Sequence, residues 1–203
     1  MKLQSDNLED YLEVTLIIDW DKPEIVRQTH TVIHGLEHDV DKARALFEWV
    51  RDTIPHSRDI GSEAVTCSAS EVLNHGTGIC FAKSHLLAAM LRCARVPAGF
   101  CYQAFRRNPP YKGLALHGLN GIYIESLSKW IRVDPRGNRE PIDAQFSTDE
   151  ERLAFPVNAE QGEFIYETIY TDPVPSVTDV LMGFTSLREL WPHLPEPFEE
   201  ELF

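Results

Sequence analysis

The sequence is poor in basic charge, in cysteine and in long apolar runs, and each shortage excludes a class of function. Lysine and arginine number 19 against 32 aspartates and glutamates, a formal charge of −13. So acidic a chain repels phosphate backbones and anionic lipid, so neither nucleic acid nor a membrane is expected as a partner. The most apolar run, Leu86–Leu91, falls far short of the roughly 20 residues that span a bilayer. The opening residues, MKLQSDNLED, carry no apolar signal-peptide core. The four cysteines, Cys67, Cys80, Cys93 and Cys101, form no C-x-x-C pair. That argues against a disulfide framework or a cysteine zinc site and fits a reducing, cytoplasmic setting.

What is present suffices for a core. At 203 residues and 43% apolar, a chain can bury about 70% of its unfolded surface without a metal or disulfide staple. One domain over 1–203 is expected, with no repeat and no low-complexity tract. Residues 11–18 (YLEVTLII) read as a strand or extended arm. Pro23 opens a helix to about His34, stopped by Gly35. Asp39 or Asp41 caps a second, in which Ala43, Leu46, Phe47 and Val50 form one apolar stripe before Pro55 closes it. Residues 56–67 read as a polar loop, and Ser68 or Ser70 starts a short helix ending near Asn74.

The turn HGTGIC then leads into FAKSHLLAAMLRCARV, apolar on most of its circumference and therefore a buried helix. Past Pro97 come three strand-like runs, 98–105, 115–124 and 129–134, joined by RRNPPYKG and ESLS. An extended run at 163–170, a helix from about Ser176 to Leu190 and an acidic tail with aromatic anchors (WPHLPEPFEEELF) complete the chain. The expected fold is α+β: a central buried helix against a small antiparallel sheet of at least three strands.

Cys80 is the candidate nucleophile. It follows Gly76 and Gly78 and opens the buried helix, where free N–H groups and partial positive charge favour a thiolate. The competing reading is a small buried apolar residue. A cysteine nucleophile needs a histidine base, and that base an orienting carboxylate. If ESLS is a four-residue hairpin loop, Ile124 faces Lys129 and Leu119 faces Asp134. His117 then shares Asp134's sheet face as a diagonal neighbour, about 7–8 Å away between Cα atoms. A loop one residue longer or shorter would separate them. The competing reading is a surface histidine and a turn-capping aspartate before Pro135.

These segments together resemble the transglutaminase-like core. In that family G-x-C opens the central helix, L-R-x-x-x-V/I-P-A ends it, and the base and carboxylate lie on successive strands. Here the matching pieces are GIC at 78–80, LRCARVPA at 91–98, His117 and WIRVDP at 130–135. The resemblance covers about 39–138, between an N-terminal helical flank and an irregular C-terminal extension that match nothing nameable. It implies a papain-like fold, with Cys80 as nucleophile, His117 as base and acid, and Asp134 as orienter. The activity implied is acyl transfer from an amide through a thioester: an amidase, peptidase or transamidase acting on a protein, peptide or small amide. The histidine strand departs from the family's H-A-W-V-E, reading H-G-L-N-G. A binding module that kept the fold and lost turnover is the alternative from another class.

Other residues carry less. His30, His34 and His38 recur every four residues, but Gly35 interrupts the helix and no third ligand follows, so a solvated face is expected. The acidic runs Asp149-Glu150-Glu151 and Glu199-Glu200-Glu201 lack calcium-loop spacing. No metal or cofactor is expected in the reaction. His75 reads as a loop residue and His85 as a polar helix position, while Lys83 and Ser84 line the site or pack. Arg106, Arg107 and Asn108 form a small basic turn in an acidic protein, a place for an anion or for nothing.

Overall fold

The computed structural model describes residues 1–199. In chain order the elements are β1 (Lys2–Leu3), α1 (Pro23–Val32), α2 (Asp39–Thr53), α3 (Ala69–His75), α4 (Cys80–Cys93), β2 (Ala98–Arg106), β3 (Leu114–Ile124), β4 (Lys129–Val133), β5 (Phe164–Ile165), β6 (Thr168–Ile169), α5 (Pro175–Gly183) and α6 (Leu187–Leu190). A four-stranded sheet runs in the order β4-β3-β2-β5 with every pair antiparallel, and β1 pairs with β6 in parallel. The mixed helices and antiparallel sheet are the α+β class expected from the patterning.

The apolar stripe of α2 is buried as its spacing requires: Ala43, Leu46, Phe47 and Val50 are fully covered. α3 opens on a capping box, in which Ser68 accepts from the Glu71 backbone and Glu71 accepts from the Ser68 backbone. α4 is buried from Cys80 through Arg92. It lies close against β3, because a Cβ on Gly118 would sit 2.6 Å from Phe81 Cδ1. Only glycine permits that approach, which accounts for H-G in place of the family's H-A. Strand register follows the hairpin count, with Ile124 opposite Lys129 and Asn120 opposite Val133.

The structure refines several local expectations. α1 stops at Val32 rather than near His34, and Gly35 turns the chain at φ 78°. His38, not an aspartate, is the N-cap of α2; the Asp39 carboxylate instead accepts from the Val40 and Ser126 backbones and the Ser126 hydroxyl. Of the strand or extended arm expected over 11–18, no strand forms: Thr15 Oγ1 takes the N–H groups of Ile17 and Ile18, leaving them unavailable to a ladder. The run at 163–170 serves two sheets, β5 pairing with β2 and β6 with β1. The helix expected over 176–190 divides into α5 and α6, because Glu63 captures the connection: its carboxylate accepts from Ser186 Oγ and Arg188 N, and its carbonyl from Leu187 N. The tail packs back through Phe198, stacked on Tyr166 with centroids 4.5 Å apart. The tail's last residues, 200–203, with Glu200 and Glu201 of the second acidic run, lie outside the described residues.

Candidate active site

The turn before α4 is fastened from two sides. Thr77 Oγ1 donates to the Pro55 carbonyl at 2.8 Å, Thr66 Oγ1 donates to the Thr77 carbonyl at 3.2 Å, and Ser57 N donates to the Gly78 carbonyl at 3.1 Å. Gly78 has little room for a side chain, since a Cβ there would lie 3.0 Å from Ala82 Cβ. This turn delivers Cys80 as the first residue of α4, 9% exposed. In contrast to α3, no side chain caps this terminus and no acidic residue occupies its first turn. Its leading N–H groups have no intrahelical acceptor and carry the positive end of the helix dipole.

His117 comes from β3 and Asp134 from the residue after β4. His117 Nε2 and Asp134 Oδ2 are 2.8 Å apart, and both side chains are buried. Asp134 also accepts from Ala154 N through Oδ2 at 3.0 Å and from Arg136 N through Oδ1 at 3.1 Å. Burial pushes its pKa up, but the His117 charge and these hydrogen bonds outweigh burial and hold it below the ordinary carboxylate value. For His117 burial works downward; the Asp134 carboxylate, then the Cys80 sulfur and hydrogen bonds to both, prevail and raise it. The Asp134 bond at Nε2 leaves Nδ1 as the nitrogen on the Cys80 side. Phe155 packs at right angles to the imidazole with centroids 4.9 Å apart.

His56 was hidden in a stretch that reads as polar loop, and no spacing marks it. It is 5% exposed and forms an isolated bridge with Gly78, two residues before Cys80. Burial first, then the charges of Arg136, Lys83, His117 and Arg139, hold its pKa well below the usual imidazole range. The ring is therefore neutral. Nδ1 accepts from Arg58 N at 3.3 Å, so the proton is on Nε2. Nε2 has no hydrogen-bond partner among the described residues and keeps some solvent access. His56 lines the cleft that Cys80 and His117 also line, about 370 Å³ in volume and walled by Phe105, Phe155 and Trp191.

Of the remaining sequence candidates, Arg106, Arg107 and Asn108 line this cleft, and the others lie elsewhere. Lys83 is fully buried and outside the cleft lining, its Nζ donating to the carbonyls of Arg51 and Ile54 at the end of α2, and burial takes its pKa down to about 7. Ser84 Oγ donates to the Cys80 carbonyl at 2.9 Å. His85 is buried against the Cys67 carbonyl, and burial takes its pKa down to about 4. His30, His34, His38 and His75 are exposed, and no cluster of three metal-ligating side chains occurs among the described residues. Burial raises the thiols of Cys67 to about 12 and Cys101 to about 11, and raises Cys93 as well, so these three are poor nucleophiles.

Residues 27–135 match the family model of the transglutaminase-like superfamily. Among solved structures, the chain is similar to "a Putative Cysteine Protease from Cytophaga hutchinsonii", with 22% identity and a TM-score of 0.53 over 65% of this chain and 43% of that one. A "putative protease from Parabacteroides distasonis" aligns with 10% identity and a TM-score of 0.40, over 74% of this chain and 30% of that one. The chain thus spans less than half the length of either protein. No curated protein matches it.

Proposed function

The chain belongs to the transglutaminase-like superfamily, and on that footing we propose that it is a cysteine-dependent acyl-transfer enzyme acting on amide bonds. The observation that carries this reading is the buried His117–Asp134 pair, 2.8 Å apart, beside a cysteine on an uncapped helix N-terminus. Cys80 Sγ, its proton held by His117, attacks the amide carbonyl. The negative charge that develops on the carbonyl oxygen meets the Cys80 backbone N–H and the Nε2–H of His56. The C–N bond breaks as the His117 imidazolium gives its proton to the leaving amine, and a thioester on Cys80 remains. His117, neutral again, takes a proton from water or from a primary amine as that nucleophile attacks the thioester. Asp134 holds the ring in one orientation and stabilises its charged form.

Hydrolysis and transamidation use all of these residues and differ in the nucleophile that reaches the thioester. The test is a screen of amide substrates with and without a primary amine, with Cys80→Ala as the blank. Ammonia or amine release by the unsubstituted protein alone supports the proposal, and added amine in the product identifies transamidation. Turnover that survives Cys80→Ala refutes it.

A further inference from the structure

Five arginines line the cleft beside Cys80: Arg58, Arg106, Arg107, Arg136 and Arg139. Among the described residues the one acidic residue on its wall, Glu163, gives its carboxylate to two backbone donors, Arg106 N at 2.8 Å and Asn158 N at 2.9 Å. Elsewhere acid dominates, at 32 carboxylates to 19 cations over the whole chain. A local reversal of sign in a low-dielectric cleft focuses potential on one spot.

The five are not equally engaged. Arg136 and Arg139 share Asp59, which accepts hydrogen bonds from both Nη atoms of Arg136 and forms an ion pair with Arg139. Arg58, Arg106 and Arg107 have no carboxylate partner among the described residues. Aromatic faces position two of them instead: Arg58 stands 4.0 Å from the ring centre of Trp191 and Arg107 4.4 Å from that of Tyr111. Arg107 also donates to the carbonyls of Trp191 and Pro192. An arginine stacked on a ring keeps its charge and in-plane N–H donors while losing rotational freedom. Carboxylates and phosphates are the groups that such a fork binds bidentately.

We propose that this cleft selects an anionic acyl donor, an amide substrate carrying a carboxylate or phosphate close to the scissile bond, held by Arg58, Arg106 and Arg107. The inference rests on the reading of Cys80 as the reacting centre and adds the substrate class. It also gives a use to the basic turn at 106–107, which the sequence left between an anion and nothing.

Binding is measured by calorimetry on Cys80→Ala protein with three capped peptides. Each has a central glutamine, flanked in turn by aspartates, asparagines or phosphoserines. The aspartate or phosphoserine peptide should bind at least tenfold tighter than the asparagine one, and whichever is tighter identifies the anion. The preference should weaken with salt and shrink several-fold in Arg58→Gln and Arg106→Gln. A second readout needs no change at Cys80: the rate of alkylation by iodoacetate relative to iodoacetamide should fall in the same arginine variants. Equal affinities for the three peptides, or a rate ratio indifferent to both substitutions, would overturn the anion site. An anionic peptide that binds but is never cleaved by the unsubstituted protein would overturn the catalytic reading and leave the anion site standing.

Discussion

At its first turn α4 leaves backbone N–H groups uncapped and sets Cys80 beside His117 and the open Nε2 of His56. At its other end the same helix carries Arg92, fully buried, whose Nε and two Nη atoms donate to the carbonyls of Ala98, Glu13 and Thr171. Both ends bury polar groups that prefer water, which costs free energy unless partners are supplied. At the Arg92 end every partner is backbone, and the result is a clasp joining the N-terminal arm, β2 and the segment after β6. At the Cys80 end partners are withheld, and the proposed chemistry uses the capacity that this leaves. Polar groups satisfied by the fold hold it together; those left open toward a cleft are available for chemistry.

Single substitutions should separate the two ends, and the largest effect belongs to the thiol. Cys80→Ala should lower kcat by about 10⁴-fold or more, as removal of a nucleophile does, while Tm stays nearly unchanged. Arg92→Met should do the reverse. Three carbonyls, that of Ala98 buried and those of Glu13 and Thr171 partly so, lose a charged donor, at about 3–5 kcal/mol in total, which for a chain of this size lowers Tm by about 10 °C. Cys80 should alkylate at its usual rate in the folded fraction of that variant. Melting curves and alkylation kinetics on both proteins check the pair.

Asp134 joins the two behaviours, since it orients His117 and also accepts from the Arg136 and Ala154 backbones. Asp134→Ala should therefore lose both turnover and about 3–5 kcal/mol of stability, seen together in kcat and in denaturant melts. His56→Phe sharpens the contrast: loss of one oxyanion donor should cost about 10²-fold in kcat with little change in KM or in Cys80 alkylation. His56→Gln, which restores an N–H, should recover part of that loss. A purely structural His56 would instead lower Tm in both variants and leave kcat per folded molecule unchanged.

The smallest effect is the pH dependence of stability. Folding lowers the pKa of Asp134, so its contribution is present above the ordinary value of about 3.9 and is lost as pH falls through the folded value. Folding raises that of His117, so its contribution is full below about 6.5 and is lost as pH rises through the folded value. The alkaline decline in Tm should be shallower in His117→Phe than in the unsubstituted protein.

The core was legible because its signals are local and periodic. The stripe of α2, the all-round apolarity of α4 and the four-residue hairpin loop each follow from spacing, and the last brings His117 and Asp134 to one face. His56 was illegible for a physical reason: it sits in irregular chain, placed by a bridge to Gly78 that no periodicity reports. The arginines of the cleft come from separate loops and strand ends, and only the pair at 106–107 is adjacent in sequence. The flanks misled where a side chain captured backbone, as Thr15 does at Ile17 and Ile18 and Glu63 does between α5 and α6.

The most direct test is intact-mass analysis after brief exposure to p-nitrophenyl acetate at mildly acid pH. One acetyl group is expected on Cys80, released with time and faster when a primary amine is added, absent in Cys80→Ala and slow to form in His117→Ala. Acetylation confined to lysines, or Cys80 reacting no faster than Cys93, would contradict that expectation.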